Sequence, residues 1–360
     1  MKVAKIAENG SRQLALWLLA LAAMVFVMAI VGAITRLTES GLSIVEWRPY
    51  IGALPPLSDA EWHRVFDLYR QTPQFRLENS GMDLSGFKSI YYWEWFHRLW
   101  GQIISLVLIG PMIWFWQRGY ITPALRPRMW ALLGLGALQA LVGMVMVASG
   151  MRDEPAVSHY WLAAHLFAAL AIYIFLIWTA LGLLNPRPDS ACAAAARWLR
   201  PHAALALGMV LLTMCWGAFT AGLRAGTVYN TFPLMNGHWV PPEIDTLVPL
   251  WLNPLRNTAA VQFIHRWLAI GTGLVVLALS ARASWATLPA SGHRLALAIG
   301  VMVLAQIGLG VATLLHHVPV ALGAAHQGGA LVLVGLLVWF NYEVRGMNGG
   351  NFQVSQHTNA

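Results

Sequence analysis

Long apolar segments alternate with shorter polar ones along the chain, and eight of the apolar segments are long enough to cross a bilayer. A bilayer core of about 30 Å needs roughly 20 helical residues. Each segment is predicted to be a helix, because backbone groups in lipid must be satisfied within the segment. The pattern therefore predicts an all-α polytopic membrane protein. The predicted spans are 14–34, 93–116, 128–148, 158–183, 202–222, 259–281, 294–315 and 319–341.

The composition agrees with this class. Of the 360 residues, 58% are hydrophobic and 11% are charged, whereas soluble domains carry about 25% charged residues. The two cysteines, Cys192 and Cys215, form no CxxC motif. They are predicted not to pair, which excludes a disulfide-stabilised scaffold.

The distribution of basic residues predicts the orientation. With the N-terminus in the cytoplasm, the cytoplasmic segments hold 12 of the 23 basic residues but only 3 of the 15 acidic ones. This excess follows the positive-inside rule, so both termini are predicted to be cytoplasmic. It also accounts for the net charge of +8 without nucleic acid as a partner. The first apolar run lacks an A-x-A-like cleavage site and is predicted to be a retained helix.

Two segments predicted to lie outside the membrane are long, residues 35–92 and 223–258. Loops of this length are usually functional or disordered. In the first, Trp62, Phe66 and Tyr69 recur at helical spacing. Residues 59–69 are therefore predicted to form a short amphipathic helix on the membrane surface.

Matching motifs recur in both halves of the chain, in the same order. They predict two tandem four-helix bundles, residues 1–184 and 185–360, related by a pseudo-twofold axis along the membrane normal. The matches are Gly32-Ala33-Ile34-Thr35 with Gly217-Ala218-Phe219-Thr220, and Gln139 and Gly143 with Gln306 and Gly310.

Four histidines form two matched pairs, which are the main candidates for chemistry. His97 and His165 lie 68 residues apart in the first half, and His265 and His326 lie 61 apart in the second. All four are predicted in the outer half of the membrane. One such histidine is more often a packing residue, but the recurrence favours a cofactor. Imidazoles that face each other across a four-helix core are typical of haem ligation.

Other residues near these histidines suit a haem. Arg98 and Arg266 each follow a candidate ligand, and a cation at that depth needs a partner. We expect haem propionates to supply it. Small neighbours are predicted to leave room for the macrocycle: Ala163, Ala164, Gly323, Ala324, Ala325, Gly328 and Gly329.

Glu94 distinguishes the two halves. It lies three residues before His97, on the same helix face, and Gln262 stands at the matching position before His265. A carboxylate beside one haem can move protons. The asymmetry suggests that the first site performs chemistry and the second holds a redox cofactor.

Several motifs together resemble the haem A synthase family, in the subgroup found in proteobacteria and mitochondria. The likeness covers nearly the whole chain, and its first two motifs are quite specific. The matching residues are Gly32 to Ser43, Glu46-Trp47, Pro49, Leu54-Pro55-Pro56, Tyr91 to Arg98, Gln139, His165, His265-Arg266 and His326.

The resemblance implies oxidation of the C8 methyl group of haem O to a formyl group. Successive hydroxylations give a geminal diol that loses water, and water is the oxygen source. His97 and His165 would bind the iron of the substrate haem O, and His265 and His326 the iron of a haem b. Glu94 would be catalytic, as a proton acceptor or as the stabiliser of a cationic intermediate.

The resemblance also implies partners and a location. The expected partners are haem O synthase, the cytochrome oxidase assembly machinery and membrane lipid, with a homo-oligomer possible, in the bacterial inner membrane. Some bacterial relatives have a cysteine pair in the first external loop. Residues 35–92 contain no cysteine here, so a thiol route for electrons is excluded and the electron acceptor stays open.

From the residues alone, two other classes stay open. A dihaem electron carrier of the cytochrome b kind also needs paired histidines, but it would place haems at both membrane faces. A haem transporter or chaperone would bind haem reversibly and would not need Glu94. The location of all four histidines toward one face, together with Glu94, favours haem oxidation.

Overall fold

Eight helices long and apolar enough to cross a membrane dominate the structure, which confirms the predicted class. The computed structural model describes residues 2–46, 54–150, 157–185 and 192–345. The spanning helices are α1 (Lys2–Leu37), α4 (Leu84–Gln117), α5 (Arg126–Gly150), α6 (His159–Leu184), α7 (Cys192–Gly222), α9 (Thr258–Trp285), α10 (Ala290–Leu315) and α11 (Val320–Glu343). Three shorter helices are α2 (Asp59–Arg70), α3 (Pro73–Leu77) and α8 (Asn253–Arg256).

Two spanning helices begin well before their predicted starts. Helix α4 begins at Leu84, where the Asp83 side chain accepts a hydrogen bond from the Gly86 backbone N–H at 2.8 Å. Helix α7 begins at Cys192 and continues through Pro201. Hydropathy marks only the membrane-embedded part of a helix, so the polar extensions were missed.

The predicted amphipathic helix in the first external segment is confirmed as α2. Ser58 caps its N-terminus. Trp62, Phe66 and Tyr69 are buried, and the rings of Phe66 and Tyr69 lie 5.0 and 5.2 Å from the ring of Phe87 at the start of α4. The apolar face of α2 therefore packs on the protein's own α4. The prediction that this face lies on the membrane surface is wrong.

Helices α1, α6, α7 and α11 form the centre, with α4 and α5 on one side and α9 and α10 on the other. Contacts recur between the halves: α1 packs on α4 as α7 packs on α9, and α5 packs on α6 as α10 packs on α11. Helix α1 also contacts α11 as α7 contacts α6. These equivalences support the predicted units 1–184 and 185–360, whose symmetry stays a prediction.

Candidate functional site

The structure brings the histidines of each predicted pair together. His97 of α4 and His165 of α6 lie within electrostatic reach of each other, as do His265 of α9 and His326 of α11. All four imidazoles are only partly buried by protein. His97 lies 13 residues beyond the start of α4, not near its start, because that helix begins at Leu84. Each pair can therefore present two imidazoles to one ligand.

Each of the four imidazoles lies against a glycine of the helix beside it. A Cβ added to that glycine would lie 2.8 to 3.4 Å from the nearest ring atom. The glycines therefore make the space that the imidazole rings occupy, a role that the sequence did not reveal. The pairs are Gly32 with His97, Gly143 with His165, Gly217 with His265 and Gly310 with His326.

We expect Gly143→Ala to weaken haem binding in the first half. The new Cβ would lie 2.8 Å from Cε1 of His165, and overpacking of this kind costs about 1–3 kcal/mol, or roughly a 10-fold or greater loss of affinity. Absorbance titration with haem measures it. Gly134→Ala on the same helix is the control, since no described residue lies within 4 Å of its added Cβ. Equal affinities in the two variants would contradict this role of Gly143.

In the second half, hydrogen bonds orient both imidazoles. Nδ1 of His265 donates to the Thr213 carbonyl oxygen at 3.1 Å, and Gln306 Nε2 lies 3.1 Å from Nδ1 of His326. A second partner on Nδ1 fixes the orientation of a ligating imidazole. The Nε2 atoms of both rings are thus left for iron.

The first half retains unsatisfied polar atoms beside its histidines. Gln139 Nε2 lies 3.3 Å from Nε2 of His165. Nδ1 of His165 and Oε1 of Gln139 are buried without a hydrogen-bond partner among the described residues. Buried polar atoms are normally paired, so these atoms indicate a site for a ligand.

Haem fits these residues better than a bare metal ion does. Within the described residues, no group of three or more His, Cys, Asp or Glu side chains could hold a metal ion. Two imidazoles are a complete axial set when a porphyrin supplies the other ligands. Ring nitrogens left for iron, orphaned polar atoms and glycine-lined imidazoles all suit such a group.

Glu94 is almost completely buried, 2% exposed, and accepts three hydrogen bonds. Its Oε2 accepts from the Ser43 hydroxyl at 2.7 Å and from the Ile44 backbone N–H at 2.8 Å, and its Oε1 accepts from Arg98 at 2.5 Å. All three are donors that an ionised carboxylate requires. The segment after α1 therefore folds back to hold a negative charge beside His97.

The equivalent position in the second half has no carboxylate. Gln262 donates to the Tyr229 carbonyl oxygen at 3.1 Å, and its own Oε1 is buried without a partner in the described part of the chain. Arg266 donates to the carbonyl oxygens of Tyr229 and Thr231 at 2.6 and 2.7 Å. Both halves thus share the histidine geometry, but only the first adds a fixed negative charge.

The chain matches the family model COX15-CtaA, a cytochrome oxidase assembly protein, over residues 15–338. It belongs to this family. A protein named Heme A synthase from Rhodospirillum centenum is 55% identical over 91% of the chain and 87% of its own length. Proteins of the same name from Nitrosospira multiformis (42%, over 93% of the chain and 94% of that protein) and Caulobacter vibrioides (45%, over 94% and 98%) also match. The resemblance inferred from the motifs is confirmed.

The motifs that carried the family resemblance have a structural explanation. The run from Gly32 to Ser43 supplies the glycine against His97 and the hydroxyl on Glu94. A hydrogen bond from the Ser40 N–H to the Thr35 carbonyl oxygen turns the chain toward α4. Trp47 and Pro49 of the second motif lie outside the described residues.

Two expectations about the haem surroundings change. Gly323 and Gly328 of α11 face Leu37 and Ile30 of α1, and Gly329 faces α10. The prediction that these glycines leave room for the macrocycle is wrong, because they serve close helix packing. Arg98 and Arg266 already have protein partners, so their pairing with propionates stays a prediction.

Proposed function

We propose that the chain oxidises the C8 methyl group of haem O to a formyl group, giving haem A for cytochrome oxidase. Two hydroxylations, each with water as the oxygen source, remove two electrons and two protons apiece. The resulting geminal diol loses water. The proposal is supported by the family membership and by relatives named Heme A synthase. The observation that carries it is the buried carboxylate of Glu94 beside only one of two histidine pairs.

The substrate site is the His97–His165 pair, whose imidazoles hold the iron of haem O. Glu94 lies one helical turn from His97, toward the predicted outer end of α4. Its charge stabilises a developing cation at the methyl carbon, or accepts the proton of the attacking water. Ser43, Ile44 and Arg98 keep the carboxylate in place for either role.

The cofactor site is the His265–His326 pair, which holds the iron of a haem b. A bis-histidine haem b supplies one-electron transfer when bound. Thr213 and Gln306 keep the two imidazoles oriented. Because Gln262 replaces the carboxylate, this half lacks the group that the chemistry on the methyl carbon requires.

The location and partners follow from the same proposal. The protein spans the bacterial inner membrane with its N- and C-termini in the cytoplasm, which the excess of basic residues supports. It receives haem O from haem O synthase and delivers haem A to the cytochrome oxidase assembly machinery. The electron acceptor is not identified, and assembly as a homo-oligomer is compatible with the fold.

Haems extracted from cells that express this chain with a haem O synthase test the function. Chromatography with mass detection should show a haem with formyl in place of methyl, or the hydroxymethyl intermediate. Cells with the haem O synthase alone are the control. If extracts contain only haem b and haem O while the folded protein shows a bis-histidine spectrum, the electron-carrier or chaperone class replaces this proposal.

A further inference from the structure

One helix pair breaks the equivalence between the halves. Helices α9 and α10 pack side by side, where the Ser280 hydroxyl donates to the Ala296 carbonyl oxygen at 2.7 Å. Glycines permit this approach: Gly300 faces Ser280, and an added Cβ on Gly273 would lie 2.8 Å from Ile307. Helices α4 and α5 do not pack side by side, although both lie wholly within the described residues.

Larger side chains stand at the matching positions of α4 and α5. Counted from the equivalent His97 and His265, Met112 of α4 replaces Ser280 of α9. Counted from Gln139 and Gln306, Leu133 of α5 replaces Gly300 of α10. The serine that bonds across the helices and the glycine that admits it are both lost. The first half therefore cannot close as the second does.

An apolar cavity of about 380 Å³ lies between α4 and α5. Met112, Ile113 and Trp116 line it from α4, and Met129, Trp130 and Leu133 line it from α5. Leu133 and Met129 lie 6 and 10 residues from Gln139, the neighbour of His165. At 1.5 Å per residue the cavity begins about 9 Å from the histidines, toward the predicted cytoplasmic ends, and extends to about 15 Å.

The chemistry of the two haems matches this difference between the halves. Haem O carries a hydroxyethylfarnesyl chain where haem b carries a vinyl group, on the porphyrin edge opposite the propionates. With the propionates toward the outer surface, that chain points toward the cytoplasmic half of the membrane. A long hydrocarbon needs an apolar cavity there, whereas haem b needs none. Only the α4–α5 side, which flanks Glu94, is held open.

We propose that the cavity between α4 and α5 binds the isoprenoid chain of haem O and selects haem O over haem b in the first half. This inference rests on the proposed function, because it takes haem O as the substrate. The cavity walls are apolar side chains of two helices, so recognition comes from burial of hydrocarbon. The tail is held apart from the methyl group that reacts beside Glu94.

Two substitutions that fill the cavity from opposite walls test the inference. Leu133→Trp and Ile113→Trp each enlarge a lining side chain. Leu138→Trp is the matched control, since Leu138 lies on the same helix as Leu133 but is 47% exposed and outside the cavity. The measurement is titration of the purified protein, with its second-half haem in place, with haem O and with haem b.

The unmodified protein and Leu138→Trp should bind haem O on the order of 10-fold or more tightly than haem b, since even single methylene groups give discrimination of this size. Both filling variants should lose that preference while their affinity for haem b stays unchanged. A preserved preference in both variants would overturn the inference. So would equal affinities in the unmodified protein, the result expected if the cavity holds membrane lipid.

Two further readouts separate misfolding and failure of the proposed function from failure of the cavity. The absorption spectrum of the haem held by His265 and His326 reports folding, and only variants that keep it are compared. If haem O is preferred but never oxidised, the proposed function fails and the cavity assignment stands. If haem O is oxidised with unchanged KM by both filling variants, the cavity assignment fails and the proposed function stands.

Discussion

Glu94→Gln should abolish the conversion of haem O, with kcat lowered by about 10²–10⁴-fold, the usual contribution of one general acid–base group. Glutamine preserves the size of the side chain but removes the charge that Ser43, Ile44 and Arg98 hold in place. The haem in the second half should stay bound, because His265 and His326 lie in other helices. Mass detection of formyl and hydroxymethyl haems, normalised to haem b, measures the effect.

The matched control for Glu94→Gln is Gln262→Leu at the equivalent position. Gln262 bonds only a loop carbonyl among the described residues, so conversion should fall by less than about 10-fold in this variant. If both variants retain conversion, the carboxylate has no chemical role. If both lose it together with the haem b spectrum, the effect reflects folding and not catalysis.

His265→Ala and His326→Ala should each remove the haem of the second half almost completely. Each substitution deletes an axial ligand and leaves a hydrogen-bond partner unsatisfied, the Thr213 carbonyl or the Gln306 amide. Conversion should be lost as well, since electrons then have no resident acceptor. The haem-to-protein ratio of the purified variants, measured as the pyridine haemochrome, checks this expectation.

His97→Ala is the control from the first half, since His97 occupies the position equivalent to His265. It should retain the haem b of the second half and lose conversion of haem O. Loss of haem b in His97→Ala to the same extent as in His265→Ala would contradict the division between a substrate site and a cofactor site.

Periodic features of the chain were predictable from its sequence. Apolar runs predicted the eight spans, and the spacing of Trp62, Phe66 and Tyr69 predicted α2. The recurrence of His97 and His265 in similar surroundings identified the histidine pairs. Each of these signals is local or repeats within the chain, so no tertiary information is needed to detect it.

Contacts between distant segments were not predictable. Ser43 bonds Glu94 across 51 residues, and the sequence between them does not indicate that the loop folds back. The glycines marked the repeat, but their contact with the imidazoles depends on helix rotation. The separation of α4 from α5 follows from Met112 and Leu133 only once their counterparts Ser280 and Gly300 are known to touch.

The central claim is that one fold holds a substrate haem in its first half and a cofactor haem in its second. A cryo-electron microscopy structure of the protein purified from cells that make haem O tests it most directly. The density should show haem b between His265 and His326. Haem O or its oxidised product should lie between His97 and His165, with its methyl edge toward Glu94. Haem b in the first site, or a haem with an isoprenoid chain in the second, would contradict the account.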